Sequence, residues 1–171
     1  MQTLSQLSVI IEGELGNIAY PKTPQKLYQS IDYMMGLGGK RMRPILLLMA
    51  HQLFDENIEK AISPALGIEI FHNFTLLHDD IMDNAPIRRG KQTVHEKWNK
   101  NVAILSGDTM LVQAYQLLSD VDKSIVKELI AVFSKAATEV CEGQQWDMDF
   151  EIQKEVTLQE YLKMIEYKTA V

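Results

Sequence analysis

Helical periodicity runs through nearly the whole of this chain, and little in it reads as a sheet. Apolar residues recur three and four positions apart, while β-branched alternation and Asn-Gly or Asp-Gly hairpin signals are absent. Thr3 and Gln6 make a capping-box pair ahead of Leu7, Val9, Ile10 and Ile11. Thr23 as cap and Pro24 as first helical residue predict a second helix to about Met35, broken by Gly36, Gly38 and Gly39. A third is expected from Pro44 through Leu53, and a fourth from near Asn57 to about Asp83, with Pro64 offsetting or splitting it. Asn84 to Gly90 reads as a loop. A fifth helix fits Val102 to Leu118 and a sixth Ser124 to about Met148. Thr157 and Glu160 form another capping box, for a last helix reaching the C-terminus. Long helices joined by short turns predict an all-α bundle of mostly antiparallel helices, with residues 1–171 forming a single domain.

Composition narrows the function classes. A formal charge of −6 argues against a general nucleic-acid binder. Two local basic patches stand out against it, Lys40-Arg41-Met42-Arg43 and Arg88-Arg89-Gly90-Lys91. The longest strongly apolar run, Ile45 to Ala50, is too short to span a bilayer, so no stable membrane insertion is expected. One cysteine, Cys141, has no internal disulfide partner and reads as a small buried hydrophobe. Together with an N-terminus unlike a signal peptide, it suits a reducing, cytoplasmic setting. The end at Val171, inside an expected helix and without a stop signal, reads as part of something longer.

The chemistry concentrates in Asp79-Asp80-Ile81-Met82-Asp83 and the Arg88-Arg89-Gly90 that follows. Asp79 and Asp83 fall on one helix face, with Asp80 about 100° round from Asp79. Like charges crowded at one helix end call for a cation between them, and a hard divalent ion is the natural candidate. Mg²⁺ takes oxygen ligands, usually one or two carboxylates, and leaves other positions to water and substrate phosphate. Guanidinium forks match phosphate oxygens in bidentate fashion. Acid, metal and arginine together read as a diphosphate site.

These residues resemble the trans-isoprenyl diphosphate synthases, or polyprenyl synthetases. Gly38-Gly39-Lys40-Arg41-Met42-Arg43-Pro44 is similar to the family's GGKRxRP segment. Asp79 to Asp83 resembles its first aspartate-rich motif, and Arg88-Arg89-Gly90 the arginine pair after it. Glu142 to Asp147 resembles its GQxxD stretch, and Lys168-Thr169 its Lys-Thr diphosphate contact. The motifs stand in the family's order over nearly the whole chain. The family's second aspartate-rich motif is missing, so the resemblance is to the N-terminal part of a synthase.

The resemblance implies an isoprenoid synthase fold, helices around a central cavity, and a homodimer. It implies an Mg²⁺-dependent prenyltransferase that condenses isopentenyl diphosphate with an allylic diphosphate. Asp79, Asp80 and Asp83 would hold the metal; Arg88, Gln144, Lys168 and Thr169 would contact the allylic diphosphate. Lys40, Arg43, His72 and Arg89 would form the metal-free isopentenyl diphosphate pocket. Phe74 and Thr75 would floor the tail channel, favouring a C20 all-trans product with C15 next. Two other readings stay open. One is a terpene cyclase, which also uses DDxxD and Mg²⁺. The other is a non-catalytic regulatory partner of a synthase. Taken alone, His72 and Phe74 would read as ordinary core residues.

Overall fold

The structure, a computed structural model, describes residues 1–170. Its helices are α1 (Leu4–Gly16), α2 (Gln25–Met35), α3 (Met42–His51), α4 (Glu59–Met82), α5 (Val94–Lys97), α6 (Lys100–Ser119), α7 (Val126–Phe150) and α8 (Leu158–Ile165). The described residues group into two compact units, one from Met1 to Asp122 and one from Lys123 onward.

In the first unit α4 is the central element. It is buried on most of its circumference, at Ala61, Ala65, Leu66, Ile70 and Leu77 but also at Glu69, Asn73 and Asp80. One apolar cluster joins it to α2 and α6 through Ile31, Met34, Ile70, Leu77 and Met110. A second joins it to α1 and α3 through Leu7, Ile11, Ile45, Leu48 and Ala65. Full burial of a Leu or Ile side chain contributes about 1.5–3 kcal/mol, so these clusters fix α4 against its neighbours. A helix walled on so many sides can present functional groups from fixed positions.

Both predicted capping boxes form, Thr3 with Gln6 and Thr157 with Glu160. Other boundaries differ from expectation for local reasons. Pro24 is the N-cap of α2 rather than its first helical residue, because its ψ of 128° is extended. Helix α3 begins at Met42, ahead of Pro44, with Arg41 as a left-handed N-cap, and it ends at His51 rather than Leu53. Pro64 neither splits nor offsets α4. It sits near the N-terminus, where the backbone acceptor one turn earlier belongs to exposed Lys60.

The Asn84–Gly90 loop contains the first half of a short hairpin, β1 (Ile87–Arg88) paired antiparallel with β2 (Lys91–Gln92). Its two-residue connection, Arg89-Gly90, has φ of 52° and 77°. Positive φ at both positions is what a type I′ turn requires. Arg-Gly is a weaker hairpin signal than Asn-Gly, and two-residue strands show no alternation, so the sequence pattern gives no warning of it.

The second unit packs α7 against α8 and a π-helical turn at Glu166–Ala170. The extension of this helical segment to Val171 lies outside the described residues. Gly143 makes the packing possible: a Cβ there would overlap the backbone of Lys168. Cys141 is exposed rather than buried. Among the described residues no helix is long and apolar enough to cross a membrane.

Candidate functional site

Lys40, Arg43, His72 and Arg89, drawn from three separate stretches of sequence, line one cavity of about 380 Å³ at the N-terminus of α3. Gly39, Arg41, Met42 and Glu69 complete its wall. No side chain caps the first turn of α3. Its backbone N–H groups and the positive end of its dipole therefore add to the cationic character of the cavity. The Arg89 guanidinium lies against Gly39, where a Cβ would sit only 3.0 Å from Nη2. Burial and the neighbouring Arg41 lower the pKa of Arg89. His72 Nε2 is 3.4 Å from Arg43 Nη1. Burial, and then Arg43 and the other arginines, push its pKa down to about 4, so the ring is neutral at physiological pH. The cavity thus collects positive charge with little to balance it.

Arg41 anchors this wall from behind. Its Nε donates to Glu12 at 2.9 Å, Nη1 to Glu69 at 2.8 Å and Nη2 to the Met35 carbonyl at 3.0 Å. One buried guanidinium therefore ties the Gly38–Arg43 segment to α1, α2 and α4. Sequence reading treats Arg41 as one more member of a basic patch and passes over Glu69. The available signal was a lone carboxylate on the apolar face of α4, since a buried charge needs a partner.

Two helical turns along α4 from His72, about 10 Å by helix rise, the charge reverses. Asp79, Asp80 and Asp83 crowd the C-terminal end, which the helix dipole already makes negative. Arg88, carried on β1, answers them. It grips buried Asp80 with Nε and Nη2, at 2.8 to 2.9 Å. Its Nη2 is 3.7 Å from Asp79. The hydrogen bonds to Asp80 and the surrounding carboxylates raise the Arg88 pKa. Asp83, the C-cap of α4, is exposed, and Asp79 is half-buried.

Among the described residues no three His, Cys, Asp or Glu side chains converge closely enough to hold a metal ion. Asp80 is turned inward to Arg88. Half-buried Asp79 and exposed Asp83, one turn apart, still fit a hard divalent ion that needs only one or two carboxylates.

Among the described residues three non-glycines have left-handed backbone, Arg41 (φ 48°), Asn84 (φ 48°) and Arg89 (φ 52°). All three lie in the segments that build these two centres. Strain of this kind persists where surrounding contacts over-determine it. At Asn84 the side-chain oxygen accepts from Lys100 at 2.7 Å. Thr93 closes the base of the hairpin by donating to the Ala85 carbonyl at 2.7 Å.

Phe74 and Thr75 stand on α4 between the two centres. Phe74 contacts Phe71, with ring centroids 5.6 Å apart, and His78, 4.7 Å away. Thr75 donates to the His72 carbonyl. In the second unit Gln144 lies on α7, and Lys168 and Thr169 in the π turn. Lys168 pairs with Asp147 there.

Comparison with known proteins identifies the family. Residues 24–171 match the family profile described as polyprenyl synthetase. The chain is similar to a geranylgeranyl diphosphate synthase of Methanosarcina mazei, 47% identical over 150 residues that cover 86% of this chain and 46% of that protein. It is similar also to a (2E,6E)-farnesyl diphosphate synthase of Mycobacterium bovis, 40% identical over 132 residues, 77% of this chain and 37% of that one. Among solved structures, a geranylgeranyl pyrophosphate synthase superposes with a TM-score of 0.96 at 49% identity, over 100% of this chain and 52% of its own. The synthetase from Geoglobus acetivorans gives 0.94 at 35% identity, over 99% of this chain and 56% of its own. The chain spans about half the length of the relatives it matches. By profile, sequence and all-α isoprenoid synthase fold, it belongs to the polyprenyl synthetase family.

Proposed function

We propose that the protein of which these residues form a part is an Mg²⁺-dependent prenyltransferase. It would condense isopentenyl diphosphate with an allylic diphosphate to a medium-chain all-trans product, C20 favoured and C15 next. One observation carries this reading: a cationic cavity and an acidic helix end share α4, two turns apart. Two diphosphates of different needs can then lie side by side, one met by protein cations and one through a metal.

In this reading Lys40, Arg43 and Arg89 hold isopentenyl diphosphate, and His72, neutral, acts as a hydrogen-bonding group. The first-turn N–H groups of α3 share the load. Asp79 and Asp83 would hold Mg²⁺ where the allylic diphosphate binds, and Asp80 would join them if Arg88 shifted its grip to the phosphate. Bound Mg²⁺ would supply charge stabilisation to the departing diphosphate. The allylic carbon–oxygen bond breaks, the isopentenyl double bond attacks the cation, and a proton is lost, for which the released diphosphate is the nearest base. Arg88 offsets negative charge as it develops on the leaving group. Gln144, Lys168 and Thr169 are assigned to the same diphosphate on their motif positions, and Phe74 with Thr75 to the end of the tail channel.

The cationic cavity favours this reading over a terpene cyclase, which takes no second diphosphate. The three retained aspartates favour it over a non-catalytic partner. We also propose a homodimer, on the family resemblance, and a cytoplasmic setting, which the exposed thiol of Cys141 suits.

Calorimetry with an unreactive allylic diphosphate analogue tests the assignment. Binding that needs Mg²⁺ and disappears in Asp79→Ala is expected. Equal binding without Mg²⁺ would refute the role given to the aspartates.

A further inference from the structure

Helices α4 and α6 lie antiparallel, and each carries a glycine at their contact. Gly67 on α4 meets the Ala114 carbonyl and the Leu118 side chain, so it serves close approach of two backbones. Gly107 on α6 does something different. A Cβ there would fall on the imidazole of His78, so the missing side chain is a notch and the ring fills it. Glycine in a helix interior is unfavourable relative to alanine, and filling this notch is the reason the structure offers for it.

The seated ring is fixed at two further points. With Nε2 protonated, His78 donates to the Ile104 carbonyl at 3.3 Å. Its plane meets Phe74 edge-on, centroids 4.7 Å apart at 65°. Phe74 in turn rests against Phe71. Phe71, Phe74 and His78 thus form a ladder of three rings along one side of α4, and His78 is keyed into α6. His78 directly precedes Asp79 in sequence, so the ladder ends where the acidic centre begins.

We propose that the Gly107 notch is a specificity-determining element: by seating His78 it sets where Phe74 stands, and so how long a prenyl tail the α4 wall admits. This rests on the prenyl diphosphate reading above. Gly107 and His78 are positioning residues; neither is asked to touch the reacting atoms. Adding a methyl at position 107 would push the ring off α6 towards Phe74 and narrow the channel. Removing the ring would take away one of the two rings that hold Phe74 and widen the channel. With the ring gone, the added methyl has room and changes nothing further.

The test compares the wild-type chain, Gly107→Ala, His78→Ala and the double variant. Thermal melting should show Gly107→Ala lowered by roughly 5 °C or more, and alanine at 107 harmless once His78 is alanine. Calorimetry with Mg²⁺ then compares the thiolodiphosphate analogues of geranyl (C10) and geranylgeranyl (C20) alcohols. The C20:C10 affinity ratio should fall about tenfold in Gly107→Ala, the scale on which apolar pockets discriminate by size. It should rise in His78→Ala and stay at that raised value in the double variant. Inorganic diphosphate should bind all four alike, which a general loss of structure would not permit. If Gly107→Ala does not fold, the rise in His78→Ala and the silence of the second substitution carry the test. A ratio unchanged in every variant, with wild-type binding intact, would overturn the proposal while leaving the prenyltransferase reading in place. A folded wild-type chain that binds neither analogue would overturn that reading, and this proposal with it.

Discussion

Replacing Arg41 by methionine would keep the volume of the side chain and strand a buried carboxylate. Arg41 is 4% exposed and Glu69 2%, with 2.8 Å between their charged atoms. At an effective dielectric of about 20, such a pair attracts by about 6 kcal/mol. Desolvation of both ions consumes much of that, so the intact pair adds little to net stability. Breaking it differs: the Glu69 charge stays buried, with only Asn73 Nδ2 still donating to it, at 3.0 Å. Losses of about 3–5 kcal/mol are typical when one partner of a buried pair is removed, a large share of the 5–15 kcal/mol that holds an ordinary domain together. Glu12 limits the damage little, because its carboxylate is half exposed and hydrates freely once released.

Urea unfolding followed by circular dichroism would measure the loss. The decisive comparison adds Glu69→Met to Arg41→Met. With both charges gone the site becomes an apolar contact between α3 and α4, and at least half of the lost stability should return. A third variant separates side chain from backbone. Arg41→Gly relieves the left-handed φ of 48°, worth about 1 kcal/mol, yet forfeits the ion pair, so it should remain well below wild type. A single substitution costing under about 1 kcal/mol, or a double variant no better than the single, would refute the anchoring role of Arg41.

Three further outcomes are expected. Arg88→Leu should bind Mg²⁺ alone more tightly than wild type, because Asp80 no longer pairs with a guanidinium, yet bind allylic diphosphate analogues more weakly; calorimetry reads both. His72 has a folded pKa of about 4 against an ordinary 6.5. Between those values the unfolded chain takes up a proton that the native chain refuses. Stability should therefore fall as pH drops from about 6.5 towards 4, and His72→Gln should flatten that slope in urea midpoints. Arg89→Leu should weaken metal-free binding of inorganic diphosphate by about tenfold, the loss of one charge-assisted contact, whereas Asp79→Ala should leave it unchanged.

Much of the fold was legible because its signals are local. The two capping boxes, the length of α4 and α7, and the breaks at Gly36 and Gly38 follow from side chains within one turn of each other. The gathering of Lys40, Arg43, His72 and Arg89 was legible for another reason, since it came from ordered motifs rather than periodicity. What stayed hidden depends on distant partners. Asp80 is a buried ion-pair member and not an open carboxylate, and only the approach of the hairpin decides that. The Glu69–Arg41 pair, the His78 ring in the Gly107 notch and the π turn over Gly143 each join residues more than twenty positions apart. No window of sequence contains both halves of such contacts.

The adjacent arginines show how one turn divides two tasks. Arg88 is a strand residue and Arg89 the first residue of the turn, so their guanidiniums leave the hairpin for different surroundings. Arg88 stands among carboxylates that raise its pKa, and its charge is balanced before any ligand arrives. Arg89 is exposed, and the partial burial of its guanidinium, with Arg41 beside it, lowers its pKa more than Glu69 and Asp80 raise it. In the proposed reading, an anion entering the cavity would relieve that tension, and the cavity would take a diphosphate without a metal. At the acidic end the reverse holds. A diphosphate approaching Asp79 and Asp83 meets repulsion until a cation comes with it, and it competes with Asp80 for Arg88. The middle of α4 and its C-terminal end would therefore differ in what they require of a ligand, although both would bind the same chemical group. In the proposed reading, that difference would let neighbouring sites on one helix accept two diphosphates without exchanging them.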